Sequence, residues 1–351
     1  MNPWAALPGA IRYPLAFGVP FLVALLVTPL LGKMAERAGV MDDPGGHKTH
    51  HDPTPYMGGM AVAAGLIVIG AVSAGTEGAL LTVIACASGL AILGLLDDVY
   101  GLGPLVRFAC EVAAGLALWL VGVRAGVMHT AWVDLPVTVL WVVALTNAVN
   151  FIDNTDGVAA SVSAVAALGI TLIAMRNGDV LVASLALSVV GGSLGFLRYN
   201  FPPARIFLGD AGSLLLGFLL AALTLSLDLP VGPALPRALT TVLLAGVPLF
   251  DLAVVVVARL LEGRPVYVGG SDHSTHRLLT RGVSTTRVVV ILAGAQAVCS
   301  GLAFWLYRAS QPTVEVAAAV AGIGAIALLV ALERMPTPER GTTGSDGAGV
   351  R

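Results

Sequence analysis

Long apolar runs alternate with short polar segments along nearly the whole chain. An α-helix needs about 20 apolar residues to cross the hydrocarbon core of a bilayer, and about eleven runs approach that length. They lie near residues 14–32, 57–75, 78–96, 105–123, 136–152, 157–175, 179–197, 211–227, 238–258, 288–307 and 314–333. The pattern therefore predicts an all-α polytopic membrane protein with about 11 transmembrane helices.

The composition points the same way. Of the 351 residues, 57% are hydrophobic and only 11% are charged, and the mean hydropathy is +0.89. A water-soluble globule needs more polar surface than this. Many of the 42 glycines lie inside the apolar runs, where small residues let membrane helices pack closely. We predict one integral membrane domain over residues 1–335 and a disordered cytoplasmic tail over residues 336–351.

Polar segments follow or precede several of these runs. They are Asp97-Asp98, residues 147–156, residues 200–210 and residues 272–277. If every run crosses the membrane, counting the crossings puts all of these segments at the same face. Most of the Lys and Arg residues lie in loops on that face, and such loops are usually cytoplasmic. We therefore expect a multi-pass protein of the inner membrane with its active site facing the cytoplasm.

Asp97 and Asp98 are adjacent acids at the end of an apolar run. Neighbouring carboxylates repel each other, so a divalent cation or a cationic side chain is expected beside them. The C-terminus of a helix is also the unfavourable end of the helix dipole for an acid. Asp210 lies where a helix is expected to begin, so a capping role is an alternative to a catalytic one for this residue.

Amides and carboxylates are concentrated between the runs at 136–152 and 157–175. Asn147, Asn150, Asp153 and Asp156 are the candidates for substrate binding in this segment. Irregular backbone at membrane depth is tolerated only where it lines a wet cavity or is buried in protein. Such side chains suit the edge of a nucleobase, or sugar hydroxyl groups together with a metal ion.

Basic side chains are concentrated in the segment DHSTHR. If it is helical, His273, His276 and Arg277 share one face and form a cationic group suited to phosphate. Neither Cys nor an HExxH pattern supports zinc here, and a solvated basic loop remains an alternative. Lys48 could also reach a phosphate. Asp251 lies inside an apolar run, which makes it a functional candidate by default, and Pro248 gives the helix a reason to kink.

The ordered blocks DPGGHKTHHDPTPYMGG, LGLLDDVYGLGP, NAVNFIDNTDG, NFPPARIFLGDAGSLLLGF and DHSTHRLL resemble those of a known family. The chain resembles the polyprenyl-phosphate N-acetylhexosamine-1-phosphate transferases, the superfamily that contains MraY and the WecA/TagO-like enzymes. The resemblance covers the chain from the loop at Asp43 to the last apolar run. The number of runs and the VPLFD segment make it more similar to the WecA/TagO branch.

The resemblance implies a phosphoglycosyltransferase. Such an enzyme transfers a sugar 1-phosphate, GlcNAc-1-phosphate in the first place, from a UDP-sugar to undecaprenyl or another polyprenyl phosphate. UMP is released, and the lipid-linked sugar initiates a cell-envelope glycan such as lipopolysaccharide or teichoic acid. The implied cofactor is Mg²⁺, with Mn²⁺ as a substitute. The implied site residues are Asp97, Asp98 and Asp210 for catalysis and metal, Asn150, Asp153, Asp156, Asn200 and Phe207 for the nucleotide, and Lys48, His273, His276 and Arg277 for the diphosphate.

The chain departs from the family pattern at two positions. Thr275 stands where the WecA/TagO pattern usually has the middle His, and Asn154 stands where Gly is usual. The donor is therefore open between UDP-GlcNAc, another UDP-N-acetylhexosamine and UDP-MurNAc-pentapeptide.

Other classes fit the sequence less well. A secondary transporter would show paired repeats and charges near the midplane, and a CDP-alcohol phosphotransferase would show a DGxxAR signature. The expected partners are the UDP-sugar, polyprenyl phosphate and membrane lipid. A homodimer is left open, and no nucleic acid is indicated.

Overall fold

A computed structural model describes residues 2–42, 53–75, 77–128, 130–229, 234–265 and 270–335. Lys48 and the expected tail over 336–351 lie outside these ranges. The helices are α1 Pro3–Ala6, α2 Gly9–Ala38, α3 Gly58–Ala74, α4 Gly78–Tyr100, α5 Pro104–Leu120, α6 Ala131–Ile152, α7 Val158–Asn177, α8 Val180–Asn200, α9 Gly209–Ser226, α10 Ala234–Leu244, α11 Gly246–Leu261, α12 Ser274–Thr280, α13 Thr285–Leu306 and α14 Gln311–Glu333. Strands β1 (Met41–Asp42) and β2 (Thr54–Pro55) form one short antiparallel ladder. The predicted all-α membrane fold is confirmed.

Fewer of the described helices have the length and composition of a candidate membrane span than the sequence predicts. Within the described ranges, eight helices are long and apolar enough to cross a bilayer, or nine if a bent pair counts as one span. Every predicted run is helical, but α3 and α5 have only 17 residues each. This length lies at the lower end of the roughly 17–25 residues that a membrane-spanning helix needs.

The run at 238–258 is broken. It forms α10 and α11, which meet at 84°. Pro248 lies in the first turn of α11, where its missing N–H would have no intrahelical partner. Gln296 of α13 satisfies the backbone at the break, since its side chain accepts a hydrogen bond from the N–H of Val247 and donates to the carbonyls of Leu243 and Leu244. One buried amide therefore replaces helical hydrogen bonds at membrane depth.

Helix α9 is the centre of the bundle. Of the residues in its most apolar stretch 83% are buried, against 6% in α14, which lies at the periphery. Helices α3, α4 and α6 pack against α9, and α2 packs along α8. A Cβ added to Gly94 of α4 would lie 2.3 Å from the backbone of Asp210. Glycine therefore allows α4 to approach the start of α9 at backbone contact.

At the end of the bundle where α9 begins, hydrogen bonds join the loops to one another. Asn200, at the end of α8, accepts a hydrogen bond from the N–H of Gly157 and donates to the carbonyl of Ile206. Asp156 accepts from the N–H of Ala204. The N–H of Phe207 donates to the carbonyl of Pro55 in β2, and the carbonyl of Phe207 accepts from the N–H of Gly58 at the start of α3. These bonds fix the turns that follow α6 and α8 against one another.

Candidate active site

A cavity of about 610 Å³ opens where α9 begins. It is lined by Asp42, Tyr56, Asp97, Asp98, Gly101, Asn150, Asp153, Asn154, Thr155, Asp156, Asn200, Phe207, Gly209, Asp210 and His276. The cavity is rich in carboxylates and amides, and it draws on all the polar segments that the sequence places at one face. Most of the site residues predicted from the sequence line it.

Arg107 joins two of the acids. Its Nη1 atom lies 2.8 Å from Oδ2 of Asp97 and 2.6 Å from Oδ2 of Asp210. The acids come from α4 and α9, whereas Arg107 lies in the first turn of α5. Carboxylates this close need a positive charge between them, and here a guanidinium supplies it. The sequence prediction of a cation beside the acids is met by a side chain.

Asp98 has a different partner. Its Oδ1 accepts a hydrogen bond from the N–H of Asp210 at 2.9 Å, and its Oδ2 accepts one from the N–H of Ala211 at 3.2 Å. These are free amides in the first turn of α9. Gly209 has φ +71, and a Cβ there would lie 2.5 Å from Oδ2 of Asp98. The glycine therefore allows the carboxylate to reach the start of the helix.

Asp210 does not cap α9. Its carboxylate turns away from the amides of its own helix and accepts a hydrogen bond from Nδ2 of Asn150 at 2.7 Å, besides its contact with Arg107. The capping interpretation of Asp210 is therefore wrong, because Asp98 caps the helix instead. Asn150 also donates to Ser213, one turn further along α9.

Asn147 lies one turn before Asn150 but does not line the cavity. Its Nδ2 donates to Oε2 of Glu111 at 2.6 Å and to the carbonyl of Val143. Glu111 is 1% exposed, and its other carboxylate oxygen has no hydrogen-bond partner. The amide of Asn147 therefore joins α6 to α5 behind the cavity, and its role in substrate binding stays a prediction.

Asp153 follows the end of α6 at the wall of the cavity. Burial raises the pKa of its carboxyl well above the ordinary value, and the negative charges of Asp210, Asp98 and Asp156 raise it further. Tyr56, across the cavity, has its phenol pKa raised by burial and by its hydrogen bond to Asp42. Both shifts favour the uncharged forms of these groups and reflect the number of acids around the cavity.

The predicted cationic face on the DHSTHR segment does not form. His276 lines the cavity, but the guanidinium of Arg277 is fully buried and donates to the carbonyls of Asp272 and Leu332 and to Glu333. Arg277 therefore points toward the end of α14, not toward the cavity. Helix α12 is only seven residues long, and its neighbours, not its periodicity, decide which side faces the cavity.

Hydrogen bonds, ion pairs and a ring contact hold the other residues of this segment. His273 is 5% exposed, and its Nδ1 lies 2.8 Å from Oδ2 of Asp251. Its ring also meets Phe151 edge to face. Asp272 pairs with Arg259 and Arg264; burial acts to raise the pKa of Asp272, but the hydrogen bonds from these arginines outweigh it and lower the pKa. His273 and Arg277 are therefore buried against protein groups in this structure, and the diphosphate role predicted for them stays a prediction.

The two departures from the family pattern touch each other. Oγ1 of Thr275 donates a hydrogen bond to Oδ1 of Asn154 at 2.6 Å. Thr275 is fully buried, whereas Asn154 lines the cavity. The turn after α6 is therefore joined to α12 through the residues that replace the usual Gly and His.

The donor set fits a magnesium ion. In the part of the chain that the structure describes, no three His, Cys, Asp or Glu side chains converge into a complete metal site. Mg²⁺ needs only one or two protein carboxylates when substrate phosphates and water supply the remaining ligands. Asp97 and Asp210 already share a cation, the guanidinium of Arg107, so they are the pair best placed to share a metal ion.

Sequence reasoning missed several residues of this site. Arg107 and Glu111 are one helical turn apart on α5, and this i, i+4 spacing of charges inside an apolar run was a usable signal. Asp42 and Tyr56 lie on either side of residues 43–52 and line the cavity. Neither belongs to a cluster of polar residues in the sequence, so no sequence pattern marked them as site residues. The sequence marks Asp251 as a functional candidate, but it does not show that His273 and Ser274 are its partners.

Comparisons with known proteins identify the family of this chain. Residues 80–228 match the model of the family described as glycosyl transferase family 4. A Bacillus subtilis protein named "Probable undecaprenyl-phosphate N-acetylglucosaminyl 1-phosphate transferase" is 35% identical over 80% of this chain and 81% of its own length.

Two further relatives are named for different sugar groups. The decaprenyl-phosphate N-acetylglucosaminephosphotransferase of Mycobacterium leprae is 31% identical over 77% of this chain and 78% of its own length. The phospho-N-acetylmuramoyl-pentapeptide-transferase of Desulforudis audaxviator is 34% identical over 78% of this chain and 92% of its own length. The chain therefore belongs to glycosyl transferase family 4, in the MraY and WecA/TagO superfamily of membrane-bound sugar-phosphate transferases.

Proposed function

We propose that this enzyme transfers GlcNAc-1-phosphate from UDP-GlcNAc to undecaprenyl or another polyprenyl phosphate. The observation that carries the proposal is the convergence of Asp97, Asp98 and Asp210 at one cavity, in a chain with relatives named for this transfer. We further propose that the cavity faces the cytoplasm, because Lys and Arg are concentrated in loops at that end.

The reaction is a displacement at phosphorus. An oxygen of the acceptor phosphate forms a bond to the β-phosphorus of UDP-GlcNAc, and the bond from that phosphorus to the oxygen of UMP breaks. Phosphoryl transfer asks a protein mainly for positioning and charge neutralisation. Mg²⁺, when bound, would neutralise the diphosphate and improve UMP as a leaving group. Asp97 and Asp210 would hold the ion, and Asn150 would orient Asp210.

Direct attack by the acceptor fits the environment of Asp98. Both oxygens of this carboxylate accept backbone hydrogen bonds. Such bonds stabilise the negative charge of the carboxylate and make it a weaker nucleophile toward phosphorus. A phosphate monoester has a second pKa of about 6, so the acceptor is mostly dianionic at neutral pH and needs no strong general base.

The donor is tested with a panel of sugars. Purified protein with undecaprenyl phosphate and Mg²⁺ would be given UDP-GlcNAc, UDP-GalNAc or UDP-MurNAc-pentapeptide, and released UMP would be measured. We expect UMP with UDP-GlcNAc at a rate at least about 10-fold above the other donors, which is the lower end of the discrimination that a binding pocket achieves between similar substrates. Asp210→Asn serves as the control for a contaminating activity.

The possible outcomes separate the donor from the reaction class. Release of UMP from UDP-MurNAc-pentapeptide alone would reassign the donor and leave the reaction unchanged. No UMP from any donor, with the lipid acceptor present, would contradict the proposed transfer itself.

A further inference from the structure

Asp251 is a fully buried acid that the proposed transfer does not use. It lies on α11, and its carboxylate accepts hydrogen bonds from the backbone N–H of Ser274 at 2.8 Å and from the hydroxyl of Ser274. Its second oxygen lies 2.8 Å from Nδ1 of His273. A buried carboxylate is tolerated only with partners of this kind. All of its partners lie within two consecutive residues at the start of α12.

This contact organises the first turn of α12. His273 precedes the helix and makes no side-chain capping bond to it. The carboxylate of Asp251 instead satisfies the backbone N–H of Ser274, which is free at the helix start. Since an ionised carboxylate only accepts hydrogen bonds, the Nδ1 atom of His273 must carry the proton.

A second contact holds the same turn from the other side. Thr275 donates to Asn154 in the turn after α6. Three consecutive residues are therefore fixed, to α11 or to the turn after α6. The next residue, His276, lines the cavity, and its ring lies 5.9 Å from that of His273.

We propose that Asp251 is a positioning residue: through His273 and Ser274 it sets the place of His276 at the cavity. This rests on the proposed function only in taking His276 to contact the donor diphosphate. Asp251 itself touches neither the cavity nor a reacting atom. Asp251 lies on the second helix of the bent pair, and its hydrogen bonds to His273 and Ser274 join α11 to the start of α12.

The first test needs no turnover. The ¹⁵N signals of the His273 ring would be recorded in the wild-type protein and in Asp251→Asn. We expect the proton on Nδ1 in the wild type. In the variant we expect the proton on Nε2, because the amide nitrogen of Asn donates toward Nδ1. A proton that stays on Nδ1 in Asp251→Asn would overturn the proposed contact, whatever the donor.

The second test separates positioning from simple packing. Asp251→Asn should raise the KM for UDP-GlcNAc by about 10-fold, the scale of one hydrogen bond to a charged group, and change kcat less. In a His276→Ala background the same substitution should add little, because residues acting through one another are not additive. Full additivity of the two changes would contradict the proposal.

A matched control is available at the other end of the bundle. Asp134 is a buried acid on α6 that accepts the N–H groups of Val127 and Met128. Asp134→Asn should lower the Tm without changing the KM for the donor. If Asp251→Asn does not fold, Ser274→Ala removes only the hydroxyl contact and should give a smaller KM increase. An unchanged KM in folded Ser274→Ala would count against the proposal.

Discussion

The carboxylate of Asp98 accepts a hydrogen bond from the backbone N–H of Asp210, with 2.9 Å between oxygen and nitrogen. Two acids that would repel each other are thus joined through the main chain of one of them. Asp98 lies at the end of α4 and satisfies the start of α9, where no side chain of α9 itself does so. The two acids consequently have different roles in the fold. The carboxylate of Asp98 joins α4 to α9, whereas the carboxylate of Asp210 contacts the guanidinium of Arg107.

Asp98→Ala should therefore lower both stability and activity. Loss of a helix-capping side chain costs about 0.5–2 kcal/mol. Asp210→Asn should leave the Tm nearly unchanged, because its carboxylate contacts only side chains. Both variants should lose at least about 100-fold in turnover, as expected for a lost electrostatic contact to a transition state. Thermal unfolding in detergent, beside UMP release, checks this. An equal loss of Tm in both variants would contradict the assignment.

Arg107 should compete with a divalent cation for Asp97 and Asp210. Its guanidinium contacts both carboxylates and would have to move when a metal ion binds between them. Arg107→Gln should therefore tighten Mn²⁺ binding to the substrate-free protein by about 10-fold, measured by the electron paramagnetic resonance of free Mn²⁺. Arg198→Gln, whose guanidinium lies over the ring of Tyr199, controls for the change in net charge. Equal effects of both variants would rule out competition at this pair.

Asp153 should make stability depend on pH. Its pKa is raised by burial first and by Asp210, Asp98 and Asp156 next. Folding thus favours the protonated acid. This contribution is complete below the unfolded pKa of about 3.9 and is lost as the pH rises through the folded pKa.

The Tm of the wild type should accordingly fall as the pH rises from the unfolded pKa through the folded pKa of Asp153, and the Tm of Asp153→Asn should fall less. The Tm of both proteins would be measured without substrate, with the exposed Asp228→Asn as the control. Parallel curves for the wild type and Asp153→Asn would show that burial of this carboxyl is not linked to folding.

Asn154 and Thr275 should act as a pair. Asn154→Ala and Thr275→Val each break the hydrogen bond of 2.6 Å that joins the turn after α6 to α12. Each should raise the KM for the donor, and the double variant should be no worse than the stronger single one. A coupling of about 1 kcal/mol is expected for residues in direct contact. A coupling near zero would mean that the contact does not shape the site.

Direct attack by the acceptor predicts no exchange between UMP and UDP-GlcNAc. Labelled UMP, mixed with enzyme, UDP-GlcNAc and Mg²⁺ but no polyprenyl phosphate, should not enter the UDP-GlcNAc pool. A two-step route through an acyl phosphate would release UMP before the acceptor binds and would allow exchange. Adding the acceptor to the same sample shows that the enzyme is active. Exchange in its absence would establish the two-step route.

Sequence patterns predicted which helix ends meet, because the alternation of apolar runs fixes the face of each loop. They did not predict side-chain direction in DHSTHR. A seven-residue helix takes its orientation from Asp251 and from the end of α14, neither of which is close in sequence. The contact of Arg107 with Asp210 could not be predicted for a similar reason, since these residues are 103 positions apart and meet only when α9 packs in the bundle.

The order of synthesis also matters for this site. Asp98 and its partner Asp210 are 112 residues apart, and Arg277 and its partner Leu332 are 55 residues apart. Chains are made from the N-terminus, so α4 enters the membrane before the amides of α9 that Asp98 accepts have been made. Arg277 likewise lacks the carbonyl of Leu332 until α14 has been made. A ribosome-bound chain that ends before α9 therefore cannot have an assembled acid cluster, and the scaffold behind His276 is completed only when α14 is in place.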